Sequence, residues 1–111
     1  LKDLGRLRHM LEMATLLASE KDKYTADSIR NNKILFFGLS KMAEIIGEAS
    51  YKITKEFKAS HPQIPWRQIE GMRHILVHGY YSISPELLCD VIRNDIPALI
   101  PELQKCIDEL T

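Results

Sequence analysis

Leu4, Leu7, Leu11, Ala14 and Ala18 recur at alternating spacings of three and four, which puts them on one face of a helix. That helix is expected to start at Asp3 as its cap and to fray through the charged stretch 19–23. A second, longer helix is expected after Thr25 or Asp27, both good caps. Its apolar stripe is Leu35, Leu39, Met42, Ile46, Ala49, Ile53 and Phe57. Lys41, Glu44, Glu48, Lys52 and Lys55 fall on another face with mixed signs, the pattern of a solvated face with helical ion pairs rather than of an RNA track. Gly38 and Gly47 interrupt this helix, which suggests that a neighbouring helix approaches closely there or that the glycines are merely tolerated.

The run His61-Pro62-Gln63-Ile64-Pro65 breaks the pattern, because proline removes a donor and restricts the residue before it. Pro65 fits the first turn of a third helix whose stripe is Trp66, Ile69, Met72 and Leu76 and whose end is Gly79. Ser84-Pro85-Glu86 then supplies a cap, a proline at the first helical position and an acid near the positive end of a fourth helix. Leu88, Ile92, Ile96, Leu99, Leu103, Cys106 and Leu110 keep phase across Pro97 and Pro101, so one continuous but kinked helix is expected. Residues 1–111 therefore read as a single all-α domain, a bundle of about four main helices.

Composition narrows the function. Leucine and isoleucine supply 27 of the 111 residues and valine only Val77 and Val91, a bias toward helix over strand. Lys and Arg number 15, as do Asp and Glu, which argues against a generally polycationic nucleic-acid binder. Residues 1–60 nevertheless carry a net charge of +3 and residues 61–111 one of −3, a split that can favour one partner surface. Cys89 and Cys106 form neither a disulfide framework nor a zinc pattern and are expected to be reduced and packed as small hydrophobes, in keeping with a cytoplasmic protein. No apolar run reaches the roughly 18 residues of a membrane span, and no signal-peptide pattern opens the chain. The sequence opens on Leu1 rather than Met, so a few native residues are expected to be missing from its start.

The chemistry concentrates in Glu70-Gly71-Met72-Arg73-His74-Ile75-Leu76-Val77-His78-Gly79-Tyr80-Tyr81. On an ideal helix at about 100° per residue, Arg73 shares a stripe with Val77 and Tyr80, while Glu70, His74, His78 and Tyr81 share the next. Arg73 and His78 therefore flank a groove. Three readings of this cluster stay open. In the first it cleaves RNA: attack by the 2′-hydroxyl needs a base, an acid and a cation, which histidine and arginine supply. One chain offers half of such a cleft, and a two-fold dimer would bring two copies of His78 into it. In the second, Glu70, His74 and His78 hold a metal, although three successive turns span about 12 Å and converge poorly on one ion. In the third, the cluster is a hydrogen-bond network that stabilises a bundle or a dimer.

Beyond spacing, Arg73-x-x-x-x-His78-x-Tyr80 resembles the R-x4-H-x-Y pattern of HepT-like toxins in the HEPN superfamily of helical ribonucleases. Ile46-Gly47-Glu48-Ala49, the run from His61 through Trp66 to Arg73, and Asn94-Asp95-Ile96-Pro97-x-Leu99 resemble further elements of that family, in the same order and across essentially the whole chain. The resemblance implies an all-α HEPN-type homodimer that cleaves RNA at a cleft between protomers, with no cofactor and no required metal. It also implies a toxin–antitoxin system in which an MNT-type nucleotidyltransferase adds AMP units to the motif tyrosine and silences the toxin. Arg73 then becomes the phosphate-stabilising cation, His78 the acid/base, Tyr80 the AMPylated residue and His74 a supporting neighbour. DNA and membranes are not expected partners. Two positions depart from the family pattern: His74 stands where Asn is common, and Gly79 where Asp is common. The alternatives implied are a non-catalytic helical partner of the nucleotidyltransferase, or a metal- or nucleotide-binding HEPN domain.

Overall fold

A computed structural model describes residues 2–79 and 82–111. The chain is all-α. Helix α1 spans Lys2–Ser19 and is followed by a 3-10 turn at Lys21–Lys23, then α2 at Ala26–Arg30 and α3 at Lys33–Tyr51. Next come α4 at Lys55–Ser60, α5 at Trp66–His78, α6 at Pro85–Asp90 and α7 at Ile96–Leu110, with a π turn at Val91–Asp95 joining the last two. Helix α1 lies between α7 and α3 and packs on both, and α3 also packs on α5.

That middle position explains which side chains of α1 are buried. Leu7, Met10, Ala14 and Leu17 are at or below 1% exposure, whereas Leu4, Leu11 and Ala18 of the expected stripe are half-buried. A helix covered on two sides buries the strip between its neighbours, and the apolar face shifts to meet both.

The expected long second helix is three helices. Thr25 accepts from the Ser28 amide at 3.0 Å and Ser28 returns the bond, a reciprocal cap on α2. Asn32 accepts from the Leu35 amide at 3.1 Å and restarts the chain as α3, and Thr54 accepts from the Phe57 amide at 3.3 Å and starts α4. Thr25 and Asn32 cap ahead of the apolar stripe, and Thr54 divides it between Ile53 and Phe57 while its phase runs on unbroken. Asp3 does not cap α1, because the helix already includes Lys2. Its carboxylate instead accepts from the Thr54 amide at 3.0 Å and the Thr54 hydroxyl at 2.7 Å, fastening the α3–α4 turn to α1.

The expected continuity of the last helix holds. Ser84 caps α6 through the Leu87 amide at 3.0 Å, and Leu88, Ile92, Ile96, Leu99, Leu103 and Cys106 are all buried across both prolines. The Ile96 amide donates to the Val91 carbonyl five residues back. This wider turn comes just before Pro97, which has no amide to offer, and so absorbs the proline without ending the helix. Leu110 is the one member of the stripe left exposed. Among the described residues, no helix is long and apolar enough to cross a membrane.

Candidate active site

Helices α3 and α5 cross where Gly47 meets Arg73. A Cβ built on Gly47 would stand 2.5 Å from the Arg73 Cβ and 3.2 Å from its Cα, so only glycine lets the two backbones approach this closely. Gly38 has nothing within 4 Å of such an atom and is simply tolerated.

The crossing decides where the arginine goes. Arg73 Nε donates to Glu48 Oε1 at 3.0 Å, and its guanidinium carbon lies 4.3 Å from the centre of the Tyr51 ring. Glu48 and Tyr51 are three residues apart on α3 and so share a face. With side-chain exposures of 21% for Arg73 and 35% for Glu48, the pair is partly withdrawn from water and screened less than a surface pair. Only Nε is taken up. The two Nη groups have no hydrogen-bond partner among the described residues, so the fork that matches phosphate oxygens remains available.

His74 and His78 lie one turn apart on the neighbouring stripe, both exposed, with ring centroids 4.9 Å apart and planes tilted by 53°. No hydrogen bond joins either to Arg73 among the described residues. As the helical geometry requires, the arginine and the histidines flank the exposed edge of α5 without touching. His78 is the last residue of α5, and the Gly79 amide closes the helix on the Ile75 carbonyl at 2.7 Å. Tyr80 and Tyr81 lie outside the described residues.

The metal set does not assemble. Glu70 is ion-paired with Lys58 of α4, and no group of three potential ligands occurs among the described residues. Glu48 and Tyr51, which set the arginine, escaped a reading by periodicity because Glu48 and Lys52 looked like a solvated face, whereas the close approach expected at Gly47 holds. The available signal was the Ile46-Gly47-Glu48-Ala49 element, in which a glycine directly precedes an acid.

An apolar groove of about 320 Å³ lies between α3, α5 and the start of α7, floored by Ile46, Ile69, Met72, Val91, Ile96 and Leu99. Its rim carries Asp95 and Glu102 and no cation. Burial, with Asp90 nearby, pushes the Asp95 carboxyl above its usual range. The acids on this rim would repel phosphate.

Residues 8–106 match the family described as Ribonuclease HepT-like. A protein of Thermococcus cleftensis with the name "Probable ribonuclease HepT" is 41% identical over 69 residues, 62% of this chain and 63% of that one. A "Putative RNase" of Caldanaerobacter subterraneus is 30% identical over 104 residues, 94% of this chain and 89% of that one. A Methanocaldococcus jannaschii protein named "Gamma-glutamylcyclotransferase and putative RNase" is 34% identical over 104 residues. These make up 94% of this chain and 47% of that protein, so the chain spans about half of that relative. No solved structure matches the chain.

Proposed function

The chain belongs to the HepT-like ribonuclease family, and from that premise we propose that it is a metal-independent endoribonuclease whose Arg73 and His78 work at a cleft between two protomers. The observation that carries this reading is the held arginine: Glu48 and Tyr51 fix its Nε side and leave its Nη pair free beside an exposed histidine. In the reaction, one His78 takes the proton from a 2′-hydroxyl, and the oxygen attacks the adjacent phosphorus. Arg73 stabilises the charge gathering on the phosphoryl oxygens. The second His78, from the partner, gives a proton to the departing 5′-oxygen, so the products are a 2′,3′-cyclic phosphate and a 5′-hydroxyl. Neither proton transfer requires a metal.

The same reading makes the protein the toxin of an MNT/HEPN pair, silenced when a nucleotidyltransferase attaches AMP to Tyr80. An added phosphate two residues beyond His78 would be drawn to Arg73 and compete there with RNA. The test of the whole reading is cleavage of a structured RNA by purified protein in excess chelator. Cyclic-phosphate ends are the expected product, and activity that disappears with chelator and returns with zinc would overturn metal independence. After incubation with ATP and an MNT-type partner, intact mass should show AMP on the wild type and none on Tyr80→Phe.

A further inference from the structure

We propose that the cleft between α1 and the C-terminal half of α3 is a second phosphate subsite, with Arg6 and Lys52 as the cations that carry the RNA backbone past Arg73; the proposal rests on the ribonuclease reading. The cleft has a volume of about 320 Å³ and is lined by Arg6, His9, Ile45, Glu48, Ala49 and Lys52. Glu48 is the wall it shares with the arginine site, because the same carboxylate accepts from Arg73 Nε. That bond matters for the charge of the cleft. Arg73 pairs with Glu48, and neither Arg6 nor Lys52 enters an ion pair among the described residues, although the Asp3 carboxylate lies nearby on the Thr54 amide and hydroxyl.

Arg6 is held in place, since its Nη1 donates to the Lys52 backbone carbonyl at 2.7 Å. This bond closes the last turn of α3 and fixes the guanidinium at the cleft, while its other N–H groups have no partner among the described residues. The exposed Lys52 side chain enters none of the ion pairs among the described residues. On α3 alone, Lys52 belongs to a mixed-sign face. Helix α1 changes its setting by adding Arg6 and His9. A single strand crossing α3 would therefore meet a cation on each side of Glu48, and backbone contacts of this kind add affinity without reading sequence.

The test separates binding from cleavage. Affinity for a fluorescent single-stranded RNA of about 20 nucleotides is measured against salt on the His78→Ala background, where the RNA stays whole. Lys52→Glu is expected to weaken binding about tenfold and to lower the salt slope by about 0.7 or more, the single-strand value for one phosphate contact. Lys52→Arg should bind like the parent. Arg6→Gln, which keeps a donor for the Lys52 carbonyl, should weaken binding in the same direction. Lys105→Glu on α7 changes net charge equally, outside the lining of the cleft, and serves as the reference. An effect of Lys52→Glu no larger than that of Lys105→Glu overturns the subsite, as does equal competition by polyglutamate, which would indicate an acidic protein partner. With otherwise wild-type enzyme, Lys52→Glu should raise KM for the long RNA by more than it raises KM for a dinucleotide. Wild-type protein that binds RNA through Lys52 but never cuts it would refute the ribonuclease reading and leave the subsite standing.

Discussion

Gly47 and Arg73 are packed so closely that no side chain fits between them: the missing Cβ of the glycine would lie 2.5 Å from the Cβ of the arginine. One residue on, Glu48 takes the Nε of that arginine, and one turn on, Tyr51 lies under its guanidinium. Backbone contact, ion pair and aromatic support thus come from a single turn of α3. The catalytic candidate is set by the helix opposite it rather than by its own.

Gly47→Ala should therefore force α3 and α5 apart. Overpacking of this kind costs about 1–3 kcal/mol, which lowers the melting temperature of a domain this size by roughly 4 °C or more. Cleavage should fall further than the loss of folded protein accounts for, because Arg73 moves with α5. Thermal melts beside turnover of the folded fraction decide this, and a variant with unchanged melting and activity would contradict the close packing.

Glu48 is expected to act through Arg73 and not on the substrate. Glu48→Gln keeps an acceptor but removes the charge, so activity should drop by about tenfold while the protein stays folded, with the loss mainly in kcat. Arg73→Lys should be poorer still, because an ammonium offers no fork and no stacking plane over Tyr51. If Arg73→Lys retains full activity, a bidentate role for the arginine is ruled out.

The main helices, their caps at Ser84 and around Thr25, the continuous last helix and the Arg73–His78 edge were legible from spacing, because each follows from helix periodicity or a local capping rule. Two things were hidden. Thr54 starts a helix without disturbing the apolar phase, and periodicity is blind to a break that keeps phase, while Asn32 starts one ahead of the first stripe member, Leu35, where there is no phase to break. Likewise, Glu48 and Asp3 look like ordinary surface acids in one dimension, and only the packing of α3 on α5 and α1 shows whose N–H groups they accept. Tyr80 was singled out by the motif alone.

Stability should depend on pH through His61. Its Nδ1 faces the Phe57 carbonyl at 2.9 Å and its Nε2 the Glu109 carboxylate at 2.7 Å, so both ring nitrogens meet acceptors and the doubly protonated ring satisfies both. The hydrogen bond to Glu109 holds the imidazole above its usual pKa against the opposing effect of burial. A folded-state value above the unfolded one contributes stability that is full below about pH 6.5 and lost as pH rises through the folded value. The melting temperature should fall by a few degrees between about pH 6 and pH 8, taking roughly 0.2–1 kcal/mol for such a pair. His61→Gln should flatten that slope, and a slope that survives the substitution would assign it elsewhere.

The two protomers needed for the proposed cleft should be detectable without RNA. Sedimentation at micromolar concentration is expected to show a dimer, because one chain presents only one His78 and leaves the α5 edge with Ile75 exposed. A fully active monomer would remove the second histidine from the mechanism.

The sharpest division lies between the two histidines. Both are exposed and one turn apart, yet only His78 is the last residue of α5, where the Gly79 amide closes the helix. His78→Ala should lower cleavage by about a hundredfold or more, the usual cost of losing a general acid or base. His74→Asn should leave cleavage within about threefold of the wild type, since a neighbour that does not touch the reacting atoms contributes well under 1 kcal/mol to the barrier. Neither side chain is buried, so both variants should melt with the wild type, and the comparison reads chemistry rather than folding. The opposite pattern, full activity in folded His78→Ala and loss in His74→Asn, would move the proton transfers one turn toward the middle of α5.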